Sequence, residues 1–296
     1  KNITFHTLSE VEGIEGTPGK FKVRLKSHTR FVTNGCTACG DCVRACPVIV
    51  PNEYDASLRT RRAIYQPFPQ AVPSTYAVDL EHCLNEPNVL ACNLCYEACG
   101  PKAIDWNQLA EGTIELDVGA VVVATGVEPF DASKLPEFGY GKFKDVLTSL
   151  ELERMLSASG VTGGKVVRPS DRRAPDDVTI VLCAGSRDQR ACTYCSRVCC
   201  TYSLKHAVQL LEYGAAKHVR VLFMDIRAYG RGFDDFYTRA AARGAEFVRA
   251  RAGGVVERDG KLFIRFEDTR EGRFHEVPTD LIVLATALVP PEGTED

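Results

Sequence analysis

Thirteen cysteines, gathered into three tight groups, constrain the fold of this 296-residue chain more than any other feature. A disulfide framework is disfavoured, because the count is odd and residues 1–10 lack the apolar core of a secretory signal. The cysteines are better explained as reduced thiols that bind metal. This interpretation predicts a cytoplasmic protein.

The first two groups match the spacing of bacterial two-cluster ferredoxins. Cys36-x2-Cys39-x2-Cys42-x3-Cys46-Pro47 wraps a loop around one [4Fe–4S] cluster and sends its fourth cysteine to another. Cys83-x8-Cys92-x2-Cys95-x3-Cys99 supplies the matching group. The crossed pattern predicts one cluster on Cys36, Cys39, Cys42 and Cys99 and the other on Cys83, Cys92, Cys95 and Cys46. The spacing alone also permits uncrossed ligation.

Two zinc sites are the alternative for these eight cysteines. Zinc typically takes two separated cysteine pairs in a tetrahedral site. That pattern leaves Cys42 and Cys46 without a role, so the spacing favours iron–sulfur clusters.

The third group surrounds the start of a helix predicted over residues 195–213. Cys183 ends a predicted buried strand at Val178–Leu182, and Cys192 precedes the helix. Within the helix, Cys195 and Cys199 would share a face at i,i+4 spacing, with Cys200 turned away. Four thiolates here would satisfy a third [4Fe–4S] cluster. A redox-active dithiol and buried structural thiols remain open alternatives.

The remaining sequence predicts an α/β fold. Apolar strands and helices alternate from residue 178 to residue 249, and the apolar run Val118–Thr125 predicts a buried parallel strand that enters a turn at Gly126. The chain contains no G-x-G-x-x-G fingerprint for a dinucleotide. Cys183-Ala-Gly-Ser-Arg-Asp follows Leu182 where a nicotinamide-binding domain would carry one, which argues against NAD(P) binding.

Net charge and the length of the apolar runs argue against two classes of partner, nucleic acid and the membrane interior. The net charge of −3 disfavours nucleic acid, and no apolar run reaches the ~18 residues of a membrane span. The first residue is Lys1, in a context that reads like the middle of a domain. We therefore expect the chain to be a fragment of a longer protein.

Four segments give the chain a family resemblance. They are Ala63-Ile-Tyr-Gln-Pro-Phe-Pro-Gln-Ala-Val-Pro73, Cys183-x-Gly-Ser-Arg-Asp188, Tyr194-Cys-Ser-Arg-Val-Cys-Cys200 and Phe223-Met-Asp-Ile-Arg227. With them the chain resembles the A-type subunit of heterodisulfide reductase, an iron–sulfur flavoprotein. The resemblance implies a partial thioredoxin-reductase-like fold of the FAD/NAD(P) type, into which a two-cluster ferredoxin-like domain is inserted.

The resemblance also implies domain boundaries. Residues 1–30 and 106–170 would belong to the FAD-binding domain, and residues 31–105 to the inserted ferredoxin domain. Residues 171–284 would form an NAD(P)-domain-like α/β domain with the third cluster, and residues 285–296 would return to the FAD domain.

Specific site residues follow from the resemblance as well. Cys183, Cys195, Cys199 and Cys200 would ligate a cluster near the flavin, and Cys192 would be spare. Lys205 is similar to a lysine beside the reactive part of the flavin, although a solvated helical lysine is the simpler interpretation. Thr125 and Gly126 would lie against FAD.

The implied function is electron transfer between FAD and [4Fe–4S] clusters, through flavin-based electron bifurcation in a heterodisulfide reductase-like complex. The expected partners are cysteine-rich B- and C-type subunits, ferredoxin, and a hydrogenase, a formate dehydrogenase or an NADH-oxidising donor. One alternative is an iron–sulfur NAD(P)H oxidoreductase similar to the small subunit of glutamate synthase. Another is a non-enzymatic zinc-binding scaffold.

Overall fold

The computed structural model describes residues 2–86, 89–109 and 111–294. Lys1, on which the expectation of a fragment rests, lies outside this range. The chain divides into two compact units, Lys1–Ala124 and Thr125–Asp296. Among the described helices, none has the length and apolar character needed to cross a bilayer.

The first unit combines an antiparallel sheet with a cysteine-rich segment. Its strands are β1 (Ser9–Thr17), β2 (Lys20–His28), β3 (Ile49–Pro51), β4 (Thr60–Arg62), β5 (Ile64–Tyr65), β6 (Ala77–Val78) and β7 (Glu111–Val118), and its helices are α1 (Asp41–Ala45) and α2 (Leu94–Ala98). The sheet has the order β1-β2-β7, and β2 buries Val23 and Leu25 on one face, as the alternating sequence predicts.

The cysteine-rich segment occupies the chain between β2 and β7, which pair with each other. It contains two five-residue helices and two short antiparallel strand pairs, β3–β4 and β5–β6. A small buried core joins them, built from Phe31, Val32, Cys42, Ile64, Val78, Cys95, Cys99, Ala103 and Ile104. Helices this short are not stable alone, so this core and whatever binds the cysteines must hold them.

The prediction of a buried parallel strand at Val118–Thr125 is wrong. The strand β7 covers Glu111–Val118, pairs antiparallel with β2 and ends there. Residues 119–127 are irregular and exposed, with Val122 88% accessible. A run of apolar residues forms a buried strand only when neighbouring strands and a covering layer are present. No described strand pairs with residues 119–127.

The second unit is built on a seven-stranded mixed sheet. The strands of the second unit, including two outside this sheet, are β8 (Glu128–Pro129), β9 (Val146–Thr148), β10 (Asp177–Ala184), β11 (His218–Phe223), β12 (Glu246–Arg258), β13 (Lys261–Asp268), β14 (Arg273–Thr279), β15 (Leu281–Thr286) and β16 (Leu288–Val289). Its helices are α3 (Ser149–Leu156), α4 (Cys199–Glu212) and α5 (Asp234–Ala242). The order is β14-β13-β12-β11-β10-β15-β9, with the five strands from β12 to β9 parallel. The predicted α/β class is confirmed.

Local sequence signals account for several elements of this unit. All six residues of β15 are buried, as expected for a central parallel strand. Helix α3 begins with a capping box, in which Thr148 and Glu151 each bond the backbone of the other. The dipeptide Asp259-Gly260, a common hairpin turn, joins β12 to β13.

Helix α4 begins later than predicted. It starts at Cys199, not at residue 195, because Arg197 adopts a left-handed backbone conformation with φ of 69°. Cys195 therefore precedes the helix. The prediction that Cys195 and Cys199 share a helix face is wrong.

Candidate iron–sulfur sites

The structure brings the cysteines of the first unit together as two groups of four. The first group consists of Cys36, Cys39, Cys42 and Cys99. The thiol of Cys42, in α1, interacts electrostatically with Cys36, with Cys99, which follows α2, and also with Cys95 of the second group. Cys36, Cys39 and Cys42 also act together on the hydroxyl of Tyr76. The crossed ferredoxin pattern predicts these four residues as the ligands of one cluster, and this ligand assignment stays a prediction.

The second group consists of Cys46, Cys83, Cys92 and Cys95. These four residues line one cavity together with apolar side chains that include Ile64 and Val78. The thiol of Cys95 interacts with all three of the others. Cys46 follows α1 and leaves its own sequence group to reach them.

Backbone N–H groups point at the sulfurs of both groups. Ala103 donates to Cys99 Sγ at 3.3 Å in the first group, and Asn85 donates to Cys83 Sγ at 3.5 Å in the second. Such donors stabilise the negative charge of thiolates and of a reduced cluster. The surroundings of the sulfurs therefore suit an anionic iron–sulfur centre.

The distance between neighbouring cysteine sulfurs distinguishes a site for a cluster from a site for a single metal ion. A zinc ion holds four sulfurs at about 2.3 Å, so neighbouring sulfurs would be close to one another. In the described chain, no three cysteine sulfurs lie within 4.8 Å of one another; the only group that meets this criterion is Asp79, Glu81 and His82. Among the described residues, the cysteine sulfurs are therefore not gathered as closely as the ligands of one zinc ion.

The third group lies at the carboxyl end of β10, in the second unit. It consists of Cys183, Cys195, Cys199 and Cys200. Cys183 interacts with Cys195 and Cys200, and Cys199 interacts with the other three. Cys192 is buried and interacts with the phenol of Tyr194.

A backbone ladder holds the loop that carries Cys195 against the end of β10. The N–H of Cys192 donates to the carbonyl of Gly185 at 3.0 Å, and the N–H of Arg187 donates to the carbonyl of Tyr194 at 3.0 Å. The hydroxyl of Ser186, which is 1% exposed, adds a bond of 2.8 Å to the same carbonyl. The Gly-Ser-Arg segment thus places Cys195 beside Cys183.

Burial raises the pKa of six cysteine thiols, two in the second group, one in the first and three in the third. The pKa is about 12 for Cys42, about 11 for Cys95, about 11 for Cys183 and about 12 for Cys199, with neighbouring thiols adding to the effect. Nucleophilic cysteines need a lowered pKa. The raised pKa values of Cys183 and Cys199 are unlike those of nucleophilic cysteines, and a bound metal would remove the proton from such thiols.

Lys205 lies on α4 and pairs with Glu153 of α3. The same carboxylate accepts a hydrogen bond from Nε2 of His206 at 2.5 Å. These two partners lower the pKa of Glu153 to about 2 despite its partial burial. Burial lowers the pKa of His206, which is 2% exposed, so its neutral imidazole donates to the carboxylate. Glu153 therefore neutralises the charge of Lys205, the lysine that the family resemblance selected. The sequence did not predict this ion pair.

Thr125 and Gly126 lie in the exposed irregular segment described above. Gly126 has a left-handed φ of 81°, and a Cβ added there would meet nothing within 4 Å. The contact of Thr125 and Gly126 with FAD remains a prediction.

Several residues around the cysteines were not predicted from the sequence. Asp225 pairs with Arg187 beside the third group, and the buried phenol of Tyr202 lies near Cys199. In the first unit, Asn85 and Trp106 line the cavity of the second group. Among the sequence signals, only the family resemblance of segment Phe223–Arg227, which contains Asp225, pointed to one of these contacts.

Three groups of four cysteines, two of them in the ferredoxin arrangement, define an iron–sulfur protein. No family model matches the sequence. Among curated proteins, the chain is 42% identical over 294 residues to the iron–sulfur A-type subunit of the CoB–CoM heterodisulfide reductase of Methanocaldococcus jannaschii, covering 98% of this chain and 44% of that protein. It is 42% identical over 298 residues to the A-type subunit of the H2:CoB–CoM heterodisulfide, ferredoxin reductase of Methanothermobacter thermautotrophicus, covering 99% and 44%.

The chain belongs to the family of A-type subunits of heterodisulfide reductase, and it spans less than half the length of these relatives. Among solved structures, similarity extends to the thioredoxin reductases of T. acidophilum and Lactococcus lactis. The identities are 13% and 14%, the TM-scores are 0.36 and 0.37, and about 60% of this chain and 48% of each neighbour are covered. These scores are too low to support a structural argument.

Proposed function

We propose that this chain carries three [4Fe–4S] clusters and transfers single electrons within an iron–sulfur flavoprotein of a heterodisulfide reductase-like complex. The observation that carries the proposal is the sorting of twelve of the thirteen cysteines into three groups of four. The first cluster would be held by Cys36, Cys39, Cys42 and Cys99, the second by Cys46, Cys83, Cys92 and Cys95, and the third by Cys183, Cys195, Cys199 and Cys200. Such clusters take up and release one electron at a time.

The residues around the sulfurs would exclude water and stabilise the reduced state. Apolar side chains such as Ile64 and Val78 cover the second group, and burial keeps Cys199 and Cys200 at 2% and 5% exposure. Cys39 is exposed in the first group. An exposed ligand offers a route for electrons to a partner, while the buried groups keep their clusters from solvent.

Within the first unit, we propose that residues 31–105 are a ferredoxin module inserted into another domain. The pairing of β2 with β7 supports this, because the strands on either side of the module belong to one sheet. Residues 1–30 and 106–170 would then belong to the FAD-binding domain, residues 171–284 to the α/β domain with the third cluster, and residues 285–296 to the FAD domain again.

FAD is proposed as a further cofactor on family membership alone. Thr125, Gly126 and Lys205 are the residues of this chain that would face it. The described residues do not form a pyrophosphate-binding site by themselves, so we derive no step through the flavin.

The proposed acceptors follow from the names of the relatives. One is named for both a heterodisulfide and ferredoxin as acceptors, and another is named as ferredoxin- or F420H2-dependent. We propose that the complex containing this chain couples the two acceptors by electron bifurcation. Its other members would be cysteine-rich B- and C-type subunits and a hydrogenase, formate dehydrogenase or NADH-oxidising donor.

The alternative of an NAD(P)H oxidoreductase is disfavoured by the sequence at the end of β10, where Cys183 and the residues after it replace a dinucleotide fingerprint. An open pocket of about 640 Å³ shares Glu137, Arg190 and Arg251 with the smaller cavity at the carboxyl ends of β10 to β12, which holds about 50 Å³. Ion pairs from Arg190 to Glu137 and Asp188, and from Arg251 to Asp188, tie the side chains that line it to one another.

Metal analysis of anaerobically purified protein tests the proposal. We expect about 12 iron atoms and as many acid-labile sulfides per chain, corresponding to three cubanes, together with electron paramagnetic resonance (EPR) signals of reduced [4Fe–4S] clusters. Zinc without iron or sulfide would establish the scaffold alternative.

A second assay uses the complex isolated from cells. Ferredoxin should be reduced only when the disulfide acceptor is also present, with hydrogen, formate or NADH tested in turn as the donor. Rapid flavin reduction by NADPH alone would instead favour the oxidoreductase alternative.

A further inference from the structure

Trp106 occupies a distinctive position beside the second cysteine group. Its side chain lines the cavity formed by Cys46, Cys83, Cys92 and Cys95. It also lines a neighbouring open pocket with Phe31. The indole therefore forms part of the wall between the sulfur-lined cavity and this pocket.

The indole nitrogen of Trp106 is buried and has no hydrogen-bond partner among the described residues. An indole N–H can only donate, and a buried donor without an acceptor costs free energy. The ring packs against Phe31 at 5.5 Å between centroids, which restricts its reorientation. The other residues that line the cavity are mostly apolar, so sulfur is the main acceptor chemistry there.

Asn85 fixes the opposite side of the same cavity. Its Oδ1 accepts from the N–H of Cys92 at 2.7 Å, and its Nδ2 donates to the carbonyl of Cys92 at 2.9 Å. Asn85 is 2% exposed, so this pair of bonds is shielded from water. The backbone of Cys92 is thereby held in place at the wall of this cavity.

We infer that Trp106 donates a hydrogen bond from Nε1 to a sulfur of the cluster held by Cys46, Cys83, Cys92 and Cys95, and thereby raises that cluster's reduction potential. The inference rests on the proposed function, since it requires a cluster at this site. Reduction adds one negative charge to the cluster, and a donor aimed at its sulfur stabilises that charge. Trp106 is a tuning residue that acts on the cluster without ligating it.

Substitution Trp106→Phe tests the inference, because it keeps an aromatic ring against Phe31 and removes only the N–H and one ring. Each cluster is followed by EPR during a redox titration of the holoprotein. The ratio of reduced to oxidised second cluster should fall about threefold to tenfold at a fixed potential, where tenfold corresponds to 59 mV. The signal of the first cluster should not shift.

Tyr54→Phe serves as the matched control. It also removes a polar hydrogen from an aromatic side chain of the same unit, and Tyr54 stacks on Phe68 away from the cavity. We expect both cluster potentials to stay at their parental values. An equal shift in the two variants would overturn the inference.

Isotope labelling gives a measurement that does not depend on a variant. Trp106 is the only tryptophan of the sequence, so ¹⁵N-indole tryptophan marks one nitrogen. Pulsed EPR of the reduced holoprotein should show a ¹⁵N coupling to the second cluster that disappears in Trp106→Phe. Iron and sulfide are measured in each sample: a missing cluster refutes the proposed function, whereas an intact cluster without the ¹⁵N coupling refutes this inference alone.

Discussion

The two units hold their cysteines in different ways. In the first unit, three of the nine residues of the small core are themselves cysteines, and the helices beside them have five residues each. In the second unit, Cys199 and Cys200 are also buried, but they lie at the start of the 14-residue α4, and a separate core cluster of fifteen residues on the sheet includes no cysteine. The comparison suggests that metal is part of the fold in the first unit and an addition to it in the second.

Removal of iron should produce the largest difference between the units. Without metal, the core around Cys42, Cys95 and Cys99 loses the bonds that join its short helices, so residues 31–106 should exchange their amide hydrogens freely. The sheet from β10 to β15 should remain protected. Hydrogen-exchange mass spectrometry of holoprotein and chelator-treated protein measures both. Equal loss of protection in the two units would contradict the view that metal is part of the fold in the first unit only.

Loss of a single ligand should remove only the third cluster. Cys195→Ser should lower the iron content by about four atoms of about 12, with little change in the thermal unfolding of the second unit. Cys192→Ser is the matched control, because Cys192 lies outside the group of four, and its iron content should stay at the parental level. Iron and sulfide analysis with EPR distinguishes the two variants. Loss of iron from the Cys192 variant would show that the four ligands are wrongly assigned.

A cavity in the sheet core should destabilise the second unit without touching the clusters. Leu284→Ala, at a position with no exposed surface, should lower the free energy of unfolding by about 2–5 kcal/mol. Leu150→Ala, on the exposed face of α3 at 45% exposure, should change it by about 0.5 kcal/mol or less. Urea unfolding of the iron-free protein gives both values. A large loss of iron from the Leu284 variant would mean that core and cluster are not independent.

The smallest expected effect concerns the acid dependence of the second unit. The pKa of Glu153, about 2 when folded, lies below its ordinary value near 4.5 because of His206 and Lys205. A depressed carboxyl pKa stabilises the fold above pH 4.5, and this stabilisation disappears as the pH falls from about 4.5 to about 2. Glu153→Gln should therefore flatten the fall in stability over that range.

Urea unfolding of the iron-free protein at a series of pH values measures this slope. Glu257→Gln, at an exposed position of β12, is the control and should keep the parental pH dependence. If Glu153→Gln retains the parental slope, the contacts of Glu153 with α4 do not stabilise the fold.

Much of the cysteine chemistry was predictable because it is local. The spacing Cys36-x2-Cys39-x2-Cys42 brings three sulfurs around one loop in any compact conformation. In the structure Cys99 interacts with Cys42, and Cys46 interacts with Cys95, while the crossed ligation itself stays a prediction. The capping box at Thr148 depends on two residues three positions apart, and β15 is a short apolar run of six residues.

The sequence-based predictions failed where residues distant in the chain determine the local structure. The run from Val121 to Gly126 reads as a buried strand, but burial depends on a second layer that the described chain does not provide. The start of α4 depends on the left-handed turn at Arg197. That turn accompanies the ladder between the Cys192–Tyr194 loop and the Gly185–Arg187 segment, and no local pattern announces it.

The sequence by itself determined the number of cysteine groups, the ferredoxin spacing, the α/β alternation and the family resemblance, since each rests on residue types at fixed intervals. Only the tertiary structure decided which side chains surround the sulfurs. Trp106 and Asn85 reach the second group, and Glu153 reaches Lys205, across separations in the chain that no period or motif encodes. The physical reason is that burial, hydrogen bonding and ion pairing act over a few ångströms in space, whatever the distance along the chain.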